Sequence, residues 1–415
     1  MPVGDIVSDA ISDTVSDTVS DAVGDTFTET THVGFLQKLW NSIVGFFIGL
    51  MLIAGAGFGL FWNEGRAVTT ARSLTEGAGQ VVHVEADRVA AENEGKLVHV
   101  AGPFATKAPL VDSDFEISIP AAVLVRHVEM FQWEQEEKTE TKKNFGGSEE
   151  QVKTYHYRKT WSSSVIDSNR FRYKTGHINP PMRHSGRTVV AKDATVGAFR
   201  PSETVIARLT PSDSLPVGTQ VLDALKQRFG DKVHVVDGEI YLGADPANPA
   251  IGDVRVSYKI ANPSTLTIVG KQTGNDFAAF QTKAGDALLF VKSGAVDAAQ
   301  IFADAQRDNR ILTWILRGVG LLVMMFGFTM LAGPIVAIGD IVPFIGNLLG
   351  LGALFLGMLL TAVVGPTVIA VAWFWYRPLV SVAVIALGLG VAFLVKRYAP
   401  ARKPKGAAAA AGAAA

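Results

Sequence analysis

The residues of this chain that could carry out acid–base chemistry or bind a cation are a histidine and a glutamate two positions apart. His127 and Glu129 lie in the run RHVEMFQWEQEE, whose alternation of polar and apolar residues predicts a β-strand. Residues two apart on a strand share a face. The carboxylate could therefore orient the imidazole, or both could bind a cation. The alternative, which we favour, is a polar pair satisfied within the sheet.

Other patterns of catalytic residues are missing. The eight histidines include no HExxH motif, and the chain has no cysteine that could complete a zinc site. A GxSxG motif is also absent. The glycine-rich run from Gly55 to Gly59 lies inside an apolar segment, which excludes phosphate binding there. We therefore expect no enzyme activity, no metal and no cofactor, and the net charge of −1 indicates no nucleic-acid partner.

The elements that must position any site are membrane helices. Uncharged runs cover residues 39–63, 318–339, 341–376 and 378–395, and about 20 apolar residues suffice for a helix to cross a bilayer. The third run is too long to cross the bilayer once as a helix and too short to cross it twice. We therefore place its crossing near 348–373. The leading IVPFIGN is then expected to lie at the interface or to form a re-entrant segment. Because an acidic segment without Lys or Arg precedes the first run, we interpret it as a retained anchor and not a signal peptide.

The sequence thus predicts a four-span α-helical membrane protein with a large α+β, mainly antiparallel-sheet, non-cytoplasmic domain. The predicted segments are an acidic N-terminal repeat (1–33), a first transmembrane helix (34–63), the exported domain (64–296), a helix leading into the membrane (297–317), a second transmembrane helix (318–339), an interfacial segment with the third (340–376), a fourth (378–395) and a basic, then Ala-rich, cytoplasmic tail (396–415).

The orientation follows from the positive-inside bias. The tail contains Lys396, Arg397, Arg402, Lys403 and Lys405 and no acidic residue, which predicts a cytoplasmic C-terminus. Four spans then place the N-terminus in the cytoplasm as well, and residues 64 to about 310 outside. Five of the seven tryptophans fall at the predicted span ends, as an aromatic belt requires.

The domain predictions rest on local patterns. In IGDVRVSYKI, apolar residues alternate with polar ones as in a strand with one wet face. An Asp-Gly hairpin turn is predicted within Val233–Leu242, and a short helix before it ends at Gly230. The segments AAVLVRHVEMFQWEQEEK and QVKTYHYRKTWSSSV predict a long aromatic hairpin. The Asp repeat over 5–27 has two interpretations, a disordered segment or a helix ordered only in an assembly.

The spans contain small residues in place of charges. Transport is disfavoured because ion pathways normally leave ionisable residues within the spans, whereas Asp340 and Arg377 lie at span ends. GxxxG pairs, which let helices approach closely, occur at Gly45 and Gly49, Gly55 and Gly59, and Gly346 and Gly350. These candidate helix-packing residues fit contacts within one chain or between copies.

The chain becomes polar abruptly at Trp62, Asn63, Glu64, Gly65 and Arg66. We interpret these five residues as the membrane junction, at which Trp62 anchors the helix at the headgroups. Ala67, Ala71 and Leu74 continue at helical spacing, so the segment is expected to fix the domain against the bilayer.

The sequence resembles the TMEM43 (LUMA) family. The resemblance is carried, in order, by NEGRAVTTARSLTEG after the first span, ENEGKLVHV, RHVEMFQWEQEE, GDVRVSYKI and WFWYRPL. It implies four spans, a large non-cytoplasmic domain, no catalytic residues, and in animals the endoplasmic reticulum and inner nuclear membrane, where the family is thought to self-associate and to organise membrane protein complexes. The Asp repeat and the Ala-rich tail depart from it, and with the lack of Cys they suggest a bacterial member.

Two hypotheses follow. The first is a membrane scaffold that self-assembles into a homo-oligomer, with the lipid bilayer as its partner. In a bacterium it would lie in the inner membrane with its domain in the periplasm. In a eukaryote it would lie in the endoplasmic reticulum and inner nuclear membrane with its domain in the lumen. The second is a membrane-anchored enzyme or lipid-binding module whose pocket lies at the domain–membrane seam, with His127 and Glu129 as its candidate residues.

Overall fold

The fold is a bundle of long apolar helices joined to a large β-sheet domain. The structure, a computed structural model, describes residues 18–23 and 25–379, together with 381–383, 386, 388, 390 and 397. Most of the predicted N-terminal repeat, most of the predicted fourth span (378–395) and nearly all of the tail lie outside the described residues. The helices are α1 (Phe35–Gln80), α2 (Glu203–Ile206), α3 (Leu222–Phe229), α4 (Ala298–Leu331), α5 (Gly333–Gly339) and α6 (Pro343–Tyr376), with 3-10 turns at 91–93, 168–170 and 219–221.

Three helices of the described part are long and apolar enough to cross a membrane: α1, α4 and α6. Four spans were predicted, and the fourth is the run that lies largely outside the described residues. The 46-residue helix α1 is about 69 Å long at about 1.5 Å per residue. It therefore runs on through the predicted junction at residues 62–66 without a break.

The second and third predicted spans differ from the helices in their bounds. The run 318–339 was expected to form one helix, but α4 ends at Leu331 and the short helix α5 begins at Gly333. Pro334, in the first turn of α5, has no N–H to continue the hydrogen bonds of α4. The segment around Pro343, predicted to lie at the interface or to re-enter, forms the first turn of α6, where a proline fits because that N–H has no helical partner.

The predicted mainly antiparallel sheet domain is confirmed. The strands are β1 (Thr18–Val23), β2 (Thr26–Val33), β3 (Val82–Glu85), β4 (Leu97–Ala105), β5 (Leu110–Asp112), β6 (Ile117–Ile119), β7 (Val123–Lys143), β8 (Glu149–Ser162), β9 (Arg187–Val190), β10 (Thr195–Val196), β11 (Asp213–Leu215), β12 (Val233–Val236), β13 (Glu239–Leu242), β14 (Val254–Ala261), β15 (Thr265–Thr273), β16 (Asp276–Ala278), β17 (Phe280–Gln281), β18 (Ala287–Leu288) and β19 (Phe290–Ser293). A nine-stranded sheet follows the order β1-β2-β8-β7-β14-β13-β12, with β9 and β11 at its side. A six-stranded sheet is built around β4 and β15, in which β3 pairs parallel to β4.

Local signals in the domain correspond to observed turns. Asp237 and Gly238 join β12 to β13 with positive φ angles of 53° and 79°, the conformation that favours Asp-Gly in two-residue hairpins. Helix α3 ends at Gly230, whose φ is 78°. The main core lies between the two sheets and contains the fully buried side chains of Phe199, Tyr258 and Ile268.

The long hairpin β7–β8 is paired regularly from Met130 with Ser162 to Lys143 with Glu149. At about 3.4 Å per residue, it extends about 44 Å from Met130 to its tip. Helix α1 covers about the same distance from Phe35 to Glu64 at about 1.5 Å per residue. The tip reaches the beginning of α1, where a Cβ added to Gly147 would collide with the Phe35 ring.

The segment before the first helix is a strand of this sheet. Strand β2 pairs with β8 from Thr26 with His156 to Val33 with Glu149, and the Phe27 ring packs at 5.6 Å from that of Tyr173. The sequence interpretation gave residues 5–27 as a disordered segment or a helix ordered only in an assembly. The described part of that segment instead forms β1 and the beginning of β2, which add to the edge of β8. The placement of the N-terminus in the cytoplasm stays a prediction.

Candidate functional site

The candidate site is the seam at which α1, α4 and α6 meet below the sheet domain. The predicted junction residues Asn63, Glu64 and Gly65 are buried here in the middle of α1, whereas Trp62 is exposed. A Cβ at Gly65 would come within 2.6 Å of the Tyr376 ring. Glycine at this position therefore lets α6 approach α1 closely.

Glu64 is the centre of the seam. Its side chain is fully buried, and its Oε1 accepts a hydrogen bond from Arg317 Nε at 2.6 Å. Its Oε2 accepts two more, from Arg317 Nη2 and from the indole Nε1 of Trp373, both at 2.9 Å. A buried carboxylate requires such partners because desolvation strongly disfavours an unpaired charge. The three contacts join α1, α4 and α6 at one point.

A second set of polar contacts flanks Glu64 on α1. Arg66 donates to Asn309 Oδ1 and to Thr313 Oγ1, each at 3.0 Å. Asn63 Nδ2 donates to the Thr313 carbonyl oxygen, and Asn309 Nδ2 donates to the Ala67 carbonyl oxygen. Buried amides are stable here because each finds a partner on the facing helix. The junction predicted from the sequence thus includes residues of α4 that sequence reasoning did not identify.

The far end of the bundle contains a second ionic cluster. Asp340, between α5 and α6, is buried, forms an ion pair with Lys38 Nζ at 2.7 Å and accepts a hydrogen bond from Lys143 Nζ at 2.6 Å. Lys38 also pairs with Glu149 at 3.0 Å. We call these four residues the tip cluster. It ties the hairpin tip to α1 and α6, and the sequence showed only that Asp340 stands at a span end.

His127 and Glu129 lie on one face of β7, as predicted. His127 is half exposed, its Nε2 is 3.8 Å from Glu129 Oε1, and Glu129 Oε2 pairs with Arg255 Nε at 2.5 Å. The described residues hold no group of three or more His, Asp or Glu side chains that could bind a metal ion. Glu129 is thus paired more closely with Arg255 than with His127.

The six candidate glycines differ in their surroundings. A Cβ at Gly49 would lie 2.7 Å from the Gly327 carbonyl oxygen, and one at Gly45 would lie 3.6 Å from Met330, so α4 packs on this stretch of α1. Gly346 lies against Asp340, and Gly350 is 3.9 Å from Val336. Gly55 and Gly59 have no described atom within 4 Å of an added Cβ.

The domain contains one buried ionic cluster that the sequence did not reveal. Arg126 donates through Nη1 to both carboxylate oxygens of Asp112, at 2.8 and 2.9 Å, and to Asp114. The hydrogen bond from Arg126 holds the pKa of Asp114 below its usual range. Burial, and then the hydrogen bond to Asp112, raise the pKa of the Tyr258 hydroxyl. Every member has partners, which is typical of a cluster that fixes the fold.

Two cavities lie at the seam. The first, of about 400 Å³, is bounded by α1, α4 and α6. The second, of about 720 Å³, lies between α1 and residues 377–379. They share Ala71, Thr75 and Arg377 in their walls, and we refer to both together as the seam cavity.

Comparison with known proteins places the chain in a family. Residues 130–378 match the family model described as Transmembrane protein 43. Transmembrane protein 43 of Mus musculus is 31% identical over 388 residues, which are 91% of this chain and 95% of the relative. The Homo sapiens protein of that name is 31% identical over 89% of this chain and 94% of its own, and the Drosophila melanogaster homolog is 29% identical over 82% and 91%. No solved structure matches the chain. With its apolar helices, its sheet domain and this similarity along most of its length, the chain belongs to the TMEM43 family of transmembrane proteins.

Proposed function

We propose that this protein is a membrane scaffold, which self-assembles and holds its sheet domain in a fixed position at the bilayer so that other membrane proteins can be organised around it. The observation that carries the proposal is the double attachment of the domain to the helix bundle. One attachment is the end of α1 beyond the seam, where Ser73 Oγ accepts from Thr282 Oγ1 at 2.8 Å and Glu76 accepts from the Lys283 N–H at 3.0 Å, and the other is the tip cluster around Asp340.

The double attachment restrains the domain in a way that a single linker would not. Domains joined by one flexible connection move relative to each other by default. Here the two attachments are separated by about 50 Å along α1, at about 1.5 Å per residue from Lys38 to Ser73. A domain held at both ends keeps its orientation, which suits a platform for partners.

Self-assembly is supported by the outward glycines of α1. Helices in lipid associate by close packing because no hydrophobic effect drives them together. Gly45 and Gly49 pack within the chain, but Gly55 and Gly59 are exposed, four residues apart and free of described neighbours. A second copy could approach α1 at this GxxxG pair. The hairpin edge is a poorer surface, since Lys138, Glu140 and Lys142 line it and charges discourage edge pairing.

The experiment is the mass of the full chain in mild detergent, together with crosslinking in native membranes. We expect an oligomer that Gly59→Leu weakens. Gly318→Leu is the matched control, because Gly318 on α4 also has open space around it but belongs to no GxxxG pair. A variant lacking residues 1–17 keeps β1 and β2 and should assemble normally. A monomer in several detergents, with no crosslinked ladder from membranes, would contradict the proposal.

For the location, we propose an integral membrane protein whose sheet domain faces the non-cytoplasmic side. The basic tail supports this orientation through the positive-inside bias. The compartment is the periplasm in a bacterium, or the lumen of the endoplasmic reticulum and nuclear envelope in a eukaryote. A cysteine at Ser212, an exposed residue of the sheet domain beside β11, should react with an impermeant thiol reagent in intact spheroplasts, and one at Ala408 should not. The reverse pattern would contradict the orientation.

A further inference from the structure

The seam cavity has an unusual excess of arginine in its walls. Arg72, Arg310, Arg317 and Arg377 line it, and Glu76 is the acidic lining residue. Glu76 accepts backbone hydrogen bonds from Lys283 and Ala284, so its charge is already partly compensated. The cavity therefore carries a net positive charge.

Two of these arginines have no carboxylate partner in the part of the chain that the structure describes. Arg317 is neutralised by Glu64, and Arg72 donates to the Tyr376 carbonyl oxygen. Among the described residues, no carboxylate lies within 4.0 Å of Arg310 or of Arg377, although Arg307 on the same helix pairs with Asp304 at 3.3 Å. Arg310 and Arg377 are thus available to an anion.

The depth of the cavity is that of lipid headgroups. Trp314 and Trp373 form part of the wall. Trp314 exposes more than half of its surface, as do Trp62 and Trp375, each two residues from a seam residue in the chain. Tryptophan is enriched at the membrane–water interface. On one side of this level α4 exposes the apolar residues Ile315, Val319 and Leu322, and on the other side lies the sheet domain.

From these observations we propose that the seam cavity binds the headgroup of an anionic phospholipid, with the phosphodiester between Arg310 and Arg377. A planar guanidinium donates two parallel hydrogen bonds to phosphate oxygens. The second chamber is bordered by Val68, Pro378 and Leu379, apolar groups that suit the glycerol and the upper acyl chains. The site does not depend on self-assembly, so it extends the scaffold proposal without resting on it.

The test uses the full chain, delipidated in a mild detergent, with dioleoylphosphatidylglycerol as the probe. Native mass spectrometry counts the bound lipid, and the melting temperature reports its effect. We expect phosphatidylglycerol to bind and stabilise the protein more than phosphatidylcholine. Arg310→Gln and Arg377→Gln should each weaken binding about tenfold, as loss of a charge-assisted hydrogen bond implies. Arg307→Gln is the matched control: the same charge is removed three residues away on α4, outside the cavity walls.

The outcomes distinguish the possible sources of the phosphate group. Equal retention of phosphatidylglycerol and phosphatidylcholine would overturn the proposal, as would equal weakening by Arg307→Gln. Inorganic phosphate that stabilises the protein as well as phosphatidylglycerol would overturn the lipid assignment in favour of a soluble anion. The variants should melt like the wild type without lipid, because neither arginine has a carboxylate partner in the described protein. A loss of binding at an unchanged lipid-free melting temperature supports the site, whatever the oligomeric state.

Discussion

Substituting Glu64 with Gln tests whether the seam determines the stability of the bundle. The substitution keeps the shape of the side chain but removes its charge. Oε2 accepts from Arg317 Nη2 and Trp373 Nε1, while Oε1 accepts from Arg317 Nε. A Gln oxygen can serve the first two donors, but the Gln amide then points an N–H group at the third. One donor loses its acceptor, and the guanidinium loses its counter-charge.

The magnitude follows from burial. Removing one partner of a buried ion pair costs about 3 to 5 kcal/mol, because a charge remains uncompensated in a low-dielectric site. The side chain of Arg317 keeps 13% of its exposure and can recover some hydration. We therefore expect about 3 kcal/mol, the lower end of this range, in the free energy of unfolding.

The assay is the free energy of unfolding in mixed detergent micelles, titrated with sodium dodecyl sulfate and followed by tryptophan fluorescence. Glu140→Gln is the control, since it removes a carboxylate from an exposed pair with Lys138 on the hairpin and should leave the unfolding free energy unchanged. The double variant Glu64→Gln with Arg317→Gln should lose less stability than the sum of the single variants. A Glu64→Gln variant within about 1 kcal/mol of wild type would refute a stabilising role of the buried pair.

Three further predictions concern the hairpin, the helix contact and acid stability. Cysteines at Thr30 and Val152, which are directly paired, should form a disulfide in native membranes, and the chain has no other thiol to interfere. Cysteines at Thr30 and Arg158 should not form one. The reverse result would contradict the pairing of β2 with β8. Gly49→Ala should lower the unfolding free energy by about 1 to 3 kcal/mol through overpacking on Gly327, while Gly318→Ala should not lower it. The pKa of Asp114 lies below its usual range because of the hydrogen bond from Arg126. The stabilisation that this carboxylate contributes is therefore present above about pH 4 and is lost as the pH falls through its folded-state pKa. Asp114→Asn should make the unfolding free energy fall less steeply with decreasing pH in acid, and an unchanged dependence would contradict this.

The sequence was informative wherever a structure depends on residues close together in the chain. Apolar length predicted the long helices, because a helix that crosses lipid satisfies its backbone hydrogen bonds within itself. Alternation predicted β7, β8 and β14, and Asp237-Gly238 predicted a hairpin turn, because strand faces and turn angles depend on neighbouring residues. The abrupt polarity change at Trp62 to Arg66 falls where α1 meets α4 and α6, and the expectation that this segment fixes the domain against the bilayer stays a prediction.

The tertiary structure alone decided which distant residues meet. The partners of Glu64 lie 253 and 309 positions away, and no local pattern connects them. Residues 26–33 were grouped with the acidic N-terminal repeat, yet they form a strand because β8 offers its edge and Tyr155 and Tyr173 cover Phe27. Asp340 was seen as the end of a span, but its role came from two lysines brought to it by α1 and by the hairpin tip. Pairing energies of this kind depend on the geometry of the whole fold, which periodicity and composition along the chain do not contain.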